Sequence, residues 1–226
     1  MNIVKKTLSD QIYDVLRKEI IQQNIPLGSK IVNRDLQQQF GVSSSPIRDA
    51  INKLYQDGLI SSIDQTGAQV IDIDYEFFLE VNEILLYIVN TGIKLAYEKN
   101  EDLTKIYDKL CELIAKQREA IGTETYYNVD YDFHKILITY SYNSRLIKLF
   151  KQYNSLHEIL VRYSSKIIDV EEQKEKVNDH EKIAGAFVQG DIDAALKYNE
   201  EHYKKAEIVF RQVLLSRSKN KKALEV

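Results

Sequence analysis

The chain has 226 residues, 44% hydrophobic and 29% charged, enough apolar side chain to bury the core of one large domain or two modest ones. Its single cysteine, Cys111, excludes an internal disulfide framework and any multi-cysteine zinc or iron–sulfur site. No apolar run approaches the ~18 residues of a membrane span and no apolar signal core opens the chain, so a cytoplasmic protein without membrane partners is expected.

Both prolines, Pro26 and Pro46, and four of the eight glycines lie at or before Gly67, whereas long periodic segments with few breakers follow. This asymmetry predicts a mainly α protein with a small N-terminal module of short elements, residues 1–74, and a larger all-helical module, residues 75–226. Leu8, Ile12, Leu16 and Ile20 recur at helical spacing and predict an amphipathic first helix, broken between Asn24 and Ser29. Asn33 is a candidate N-cap for a second helix, Arg34 to Phe40, which Gly41 closes in a left-handed conformation. Ser43, Ser44, Ser45 and Pro46 then open a third helix that buries Ile47, Ala50, Ile51 and Leu54. Leu59 to Ile63 and Ala68 to Ile73 predict two strands of a hairpin around Asp64-Gln65-Thr66-Gly67.

Helix, short helix, glycine turn, helix and β-ribbon is the order of a winged helix-turn-helix, whose third helix lies in a major groove of double-stranded DNA. The exposed face of that helix offers Ser45, Arg48, Asp49, Asn52 and Lys53. An arginine such as Arg48 suits a guanine edge or a phosphate, and serines at a helix N-terminus suit phosphates. Net charge neither helps nor forbids this reading: it is −3 for the chain, and residues 1–74 carry eight Lys and Arg against nine Asp and Glu.

Leu27-Gly28-Ser29-Lys30-Ile31, Asp35-Leu36, the run from Gly41 to Ala50, and Leu54 with Asp57-Gly58-Leu59-Ile60 together resemble the GntR family of bacterial transcription regulators. The resemblance implies DNA contacts at Arg34, Ser43, Ser45, Arg48, Thr66 and Gly67. Ser44 stands where the family usually has an arginine, which implies a different operator. Asp130-Tyr131-Asp132-Phe133-His134 followed by Asn143, then His180, Gly190-Asp191, Ala194-Ala195 and His202, resembles the FadR-type C-terminal ligand-binding domain called FCD. That resemblance implies an antiparallel helical bundle over about residues 76–216, a homodimer on a palindromic operator, and a small-molecule effector, with an organic acid as one candidate.

Four residues apart on a predicted helix, Asp130 and His134 leave one face about 40° apart. With His180 and His202 on later helices, the resemblance implies a set of three imidazoles and one carboxylate. Such a set suits a divalent transition metal, zinc or nickel foremost, over magnesium or calcium. In the family an arginine on the first bundle helix often meets an acidic effector; here Asn82 aligns with it. Either the metal alone binds the anion, or Arg145 or Arg162 substitutes, or the effector is not a simple acid. His157 lies outside the pattern and is expected as a surface or partly packed histidine. Cys111 is expected among the core aliphatic residues, the acid–base run from Asp169 to Lys176 as a solvated helix start, and the tail from Ser216 to Lys222 as frayed. Tyr126, Tyr127, Tyr131 and Tyr140 are candidates for a pocket wall, although aromatic residues at helical spacing more often fill a core. The regulator is expected to be a repressor; two competing readings are a metal-dependent hydrolytic enzyme and a constitutive DNA-binding protein with a purely structural metal.

Overall fold

A computed structural model describes residues 6–164 and 169–224. The chain divides between Ile73 and Asp74 into two compact units. In the first, α1 (Leu8–Ile21) begins with a capping box in which Thr7 and Asp10 satisfy each other's orphan backbone groups. It packs on α3 (Ser44–Gln56), joined by α2 (Asn33–Phe40), and the three helices enclose Ile12, Leu16, Ile20, Ile47, Ile51 and Leu54. Gly41 follows α2 at φ 65°, the left-handed conformation that a side chain disfavours, and so sets the turn into α3.

The β-structure exceeds the expected hairpin. Strands β2 (Ile60–Ile63) and β3 (Gly67–Val70) are joined by β1 (Lys30–Val32) in an antiparallel sheet of order β1-β3-β2. β1 pairs Lys30 with Gln69 and Val32 with Gly67, partners far along the chain that no local pattern announces. Because β1 runs straight into α2, Asn33 becomes the first helical residue, and the N-cap is Val32 without a side-chain bond.

The second unit is entirely helical over its described residues: α4 (Tyr75–Lys99), α5 (Thr104–Glu119), α6 (Tyr126–Tyr140), α7 (Ser144–Ser164), α8 (Val170–Val188) and α9 (Ile192–Leu224). α4 packs on α6, α7 and α9, α5 on α6 and α8, and α8 on α9. α6 and α8 thus have neighbours on several sides, which is why polar residues on their inner faces end up deeply buried. α8 starts on a capping box of Asp169 and Glu172.

Two expectations are corrected. The tail from Ser216 to Lys222 continues α9 as helix, since no Gly or Pro follows Gly190 to stop it. Cys111 is exposed, because the buried row on α5 runs through Ile106, Leu110, Ile114 and Gln117, and Cys111 is turned off it by one residue. None of the described helices is long and apolar enough to cross a membrane.

Candidate metal centre and nucleic-acid interface

In the first unit Arg34, Ser43, Ser45, Arg48 and Thr66 are all exposed. Ser43 is the N-cap of α3, yet its hydroxyl makes no capping bond, which leaves it and the helix N-terminal amides open to an anion. Arg48 and Asn52 on α3 line a groove with Asp64 and Gln65 of the wing. Asp64 organises the wing tip: its Oδ1 accepts from the Thr66 amide and hydroxyl, each at 2.8 Å, and from the Gly67 amide at 2.9 Å.

Gly67 opens β3. It is buried, its N–H is spent on Asp64, and a Cβ there would lie 1.9 Å from the Ile31 carbonyl oxygen. Its lack of a side chain lets β1 and β3 approach. Lys53 is likewise withdrawn from the exposed face, its ammonium paired with Asp10 of α1.

In the second unit Asp130 and His134 on α6, His180 on α8 and His202 on α9 converge, with one ligand atom of each lying within 4.8 Å of all the others. All four are buried, His180 completely. Ring centroids are 4.9 Å apart for His134–His180 and His180–His202, and 5.4 Å for His134–His202. Bonds of roughly 2 Å allow at most about 4 Å between opposite ligand atoms, so small side-chain rotations bring the set to one ion.

The surroundings explain how these groups are held. Gln117, wholly buried on α5, donates from Nε2 to Asp130 Oδ1 at 2.9 Å and meets His180 Nδ1 with Oε1 at 2.7 Å. An amide oxygen only accepts, so His180 carries its proton on Nδ1 and turns a bare Nε2 inward. That Nε2, His134 Nδ1 and His202 Nδ1 are buried without any hydrogen-bond partner. Phe133 stacks flat on the His180 ring, centroids 3.9 Å apart, and fixes its plane. Asp179, buried on α8, lies 3.9 Å from His202 Nδ1 and accepts from Lys205 at 2.7 Å.

The electrostatics favour ligand protonation states. Burial works against ionisation of the Asp130 carboxyl, which nonetheless lies well below its ordinary value and, as a carboxylate, accepts from Gln117 Nε2. Burial pushes His134 down to about 3 and His180 well below its ordinary value, so both rings are neutral. Burial would likewise raise Asp179, yet His202 and Lys205 keep it at about 2.

A cavity of about 740 Å³ opens between α6, α7, the start of α8 and the α5–α6 connection, lined among others by Tyr127, Tyr131, His157, Arg162 and Gln173. A smaller void of about 40 Å³ includes Phe78, Asn82, His157, Val161 and Lys176 in its walls. His157 and Val161 line both. Asn82 is thus inside the bundle, donating from Nδ2 to the Tyr203 carbonyl at 3.2 Å. Arg145 is not: it is exposed on the first turn of α7 and lines neither cavity, because α7 carries it to the end of the bundle away from Arg162.

His157 is half-buried, the partly packed of its two expected placements, and burial lowers its ring to about 4. Of the tyrosines, Tyr127 and Tyr131 line the larger cavity, Tyr126 is core with its hydroxyl donating to the Gln173 carbonyl at 2.9 Å, and Tyr140 lies under the Lys109 ammonium. Sequence reasoning passed over Gln117, Lys176 and Asp179. A signal for Gln117 was present: a glutamine in register with Ile106, Leu110 and Ile114 is a buried amide in need of partners.

Comparison with known proteins places this geometry. Residues 8–70 match the gntR family of bacterial regulatory proteins and residues 91–205 match the FCD domain. The HTH-type transcriptional regulator YdhC of Bacillus subtilis is 27% identical over 148 residues, 65% of this chain and 66% of that protein. A "Probable D-xylose utilization operon transcriptional repressor" of Paenarthrobacter nicotinovorans is 22% identical over 197 residues, covering 85% of this chain and 84% of that one. The solved structure of McbR/YncC from E. coli superposes with a TM-score of 0.73 at 19% identity, over 92% of this chain and 99% of that chain. The chain belongs to the FCD family of transcriptional regulators and carries, ahead of that domain, the helix-turn-helix module of the gntR family.

Proposed function

We propose that the chain is a cytoplasmic, homodimeric repressor that binds a palindromic operator through Arg34, Ser43, Ser45, Arg48 and Thr66. Its operator affinity is set by a small organic-acid effector bound beside a divalent transition metal, zinc or nickel. The observation that carries this reading is the set of three buried histidine nitrogens without partners around an ionised Asp130. A buried nitrogen lone pair left unpaired costs on the order of 1–3 kcal/mol, and an ion would take one ligand atom from each histidine and from Asp130. Nitrogen and oxygen donors without sulfur suit zinc or nickel.

A bound ion would act as a Lewis acid toward an effector oxygen at a position the protein leaves open. The chain's own residues do the rest. Gln117 sets the His180 tautomer, Phe133 its plane, and Asp179 the electrostatics around His202. Tyr127 and Tyr131 offer hydroxyls and ring faces to the body of the effector in the larger cavity, whose size suits a small metabolite. An effector that binds one arrangement of the dimer better than another shifts operator affinity by that difference.

Elemental analysis of purified full-length protein tests the centre. We expect one transition ion per chain in the wild type, a lowered content in His134→Ala, His180→Ala and His202→Ala, and an unchanged content in His157→Ala. Equal metal content in all four variants would refute the assignment.

A further inference from the structure

Lys176 stands out among the charged side chains of the second unit. It is half-buried on α8, one turn before His180, and lines the 40 Å³ void together with Asn82 and His157. Lys205, half-buried like Lys176, has an acceptor in Asp179 at 2.7 Å. Lys176 makes no hydrogen bond or ion pair with any described residue. Its N–H donors are therefore open to an incoming acceptor.

Its nearest acids, Glu172 one turn earlier on α8 and Asp130 of the cluster, act on it through space, and neither is bonded to it. Asn82 is uncharged and turns an N–H toward the Tyr203 carbonyl, and Ser164, Phe78, Leu160, Val161 and Phe210 complete the wall without a carboxylate. Asp130, the acid of the centre, is already shared by Gln117 and the histidines. With Asp179 taken up by Lys205, a divalent ion on the cluster and Lys176 together outweigh the carboxylate of Asp130, which favours an incoming anion. A void of about 40 Å³ admits a few waters or one carboxylate, and nothing larger.

We propose that Lys176 is the cationic anchor for the carboxylate of the effector, holding one oxygen in the small void while His157 and Val161 pass the rest of the molecule into the larger cavity. The proposal rests on the effector reading above and adds to it the group that supplies the charge. It makes the anion site a joint property of α8, which carries both Lys176 and His180.

The test uses the full chain and ¹³C-labelled acetate as the probe, with binding read by NMR titration in wild type, Lys176→Met and Lys176→Arg. Metal content and far-ultraviolet circular dichroism are measured on the same samples. We expect acetate affinity to fall at least tenfold in Lys176→Met, about 1.4 kcal/mol, and to stay within threefold in Lys176→Arg, with metal content unchanged in both. If the wild type holds no metal but the Lys176→Met loss persists, the anchor stands and the metal reading falls. A wild type that binds no acetate, or a Lys176→Met variant that binds it as the wild type does, overturns the anchor whatever the metal content.

Discussion

Replacing Gln117 by Leu removes both polar ends of a buried side chain while keeping most of its volume. The amide spans 2.9 Å to Asp130 Oδ1 and 2.7 Å to His180 Nδ1, and it is 0% exposed, so water cannot take its place. Two buried groups are orphaned, each at about 1–3 kcal/mol with the charged Asp130 toward the upper end, for a loss of about 2–5 kcal/mol in metal-free protein. For a helical unit of this size that is a fall in melting temperature of roughly 5–15 °C. The loss should be smaller with metal, since an ion gives Asp130 another partner. The tautomer argument makes a separate claim: without the Gln117 oxygen, His180 is free to place its proton on Nε2 and withdraw that lone pair. Metal affinity, measured by competition with a chromophoric chelator, should therefore drop about 10–100-fold. A variant with metal affinity within twofold of wild type would refute the view that Gln117 orients the centre, even if its stability had fallen.

His157 gives a pH signature. Its folded-state value, about 4, lies below the unfolded value near 6.5, so the stability it contributes is present above pH 6.5 and is lost as pH falls toward 4. Between pH 6.5 and 5 the loss is up to about 2 kcal/mol, and the stability difference between wild type and His157→Gln in urea titrations of metal-free protein should shift in that window; a pH-independent difference would contradict the burial of the neutral ring. Gly67→Ala should cost about 2–3 kcal/mol, because the new Cβ falls 1.9 Å from the Ile31 carbonyl oxygen and β1 must yield. Calorimetry should show the first unit melting earlier with metal content unaltered, and an unchanged melting point would mean that the wing tolerates the side chain.

How much of this was legible depended on the range of the interaction. The helix-turn-helix order was readable because its signals are local: Gly41 at φ 65°, the serines and Pro46 opening α3, and the aliphatic row of Ile47, Ile51 and Leu54. β1 was not, since three residues acquire strand character only through pairing with Gly67, Ala68 and Gln69. In the bundle, the four-residue interval of Asp130 and His134 displayed their shared face, but only the family resemblance joined them to His180 and His202. Lys176 was misjudged for a related reason. Within the sequence it belongs to an acid–base run, and Lys174 does pair with Glu171 at the surface, yet two positions further α8 has turned about 200° and faces inward.

The wing has a bearing on how an acidic chain approaches a polyanion. The Asp64 carboxylate takes Lys30 at 2.6 Å besides the three donors from Thr66 and Gly67, Asp10 pairs with Lys53, and Asp57 accepts from Tyr13. The charges of Asp64 and Asp10 are thereby paired with Lys30 and Lys53 and contribute short dipoles in place of a long-range repulsive field. Arg34 and Arg48 are left to face the solvent as unscreened monopoles. Counterions condensed on a duplex respond to that local distribution, so the salt dependence of association reflects the number of arginine–phosphate contacts and is nearly blind to the formal charge of the module.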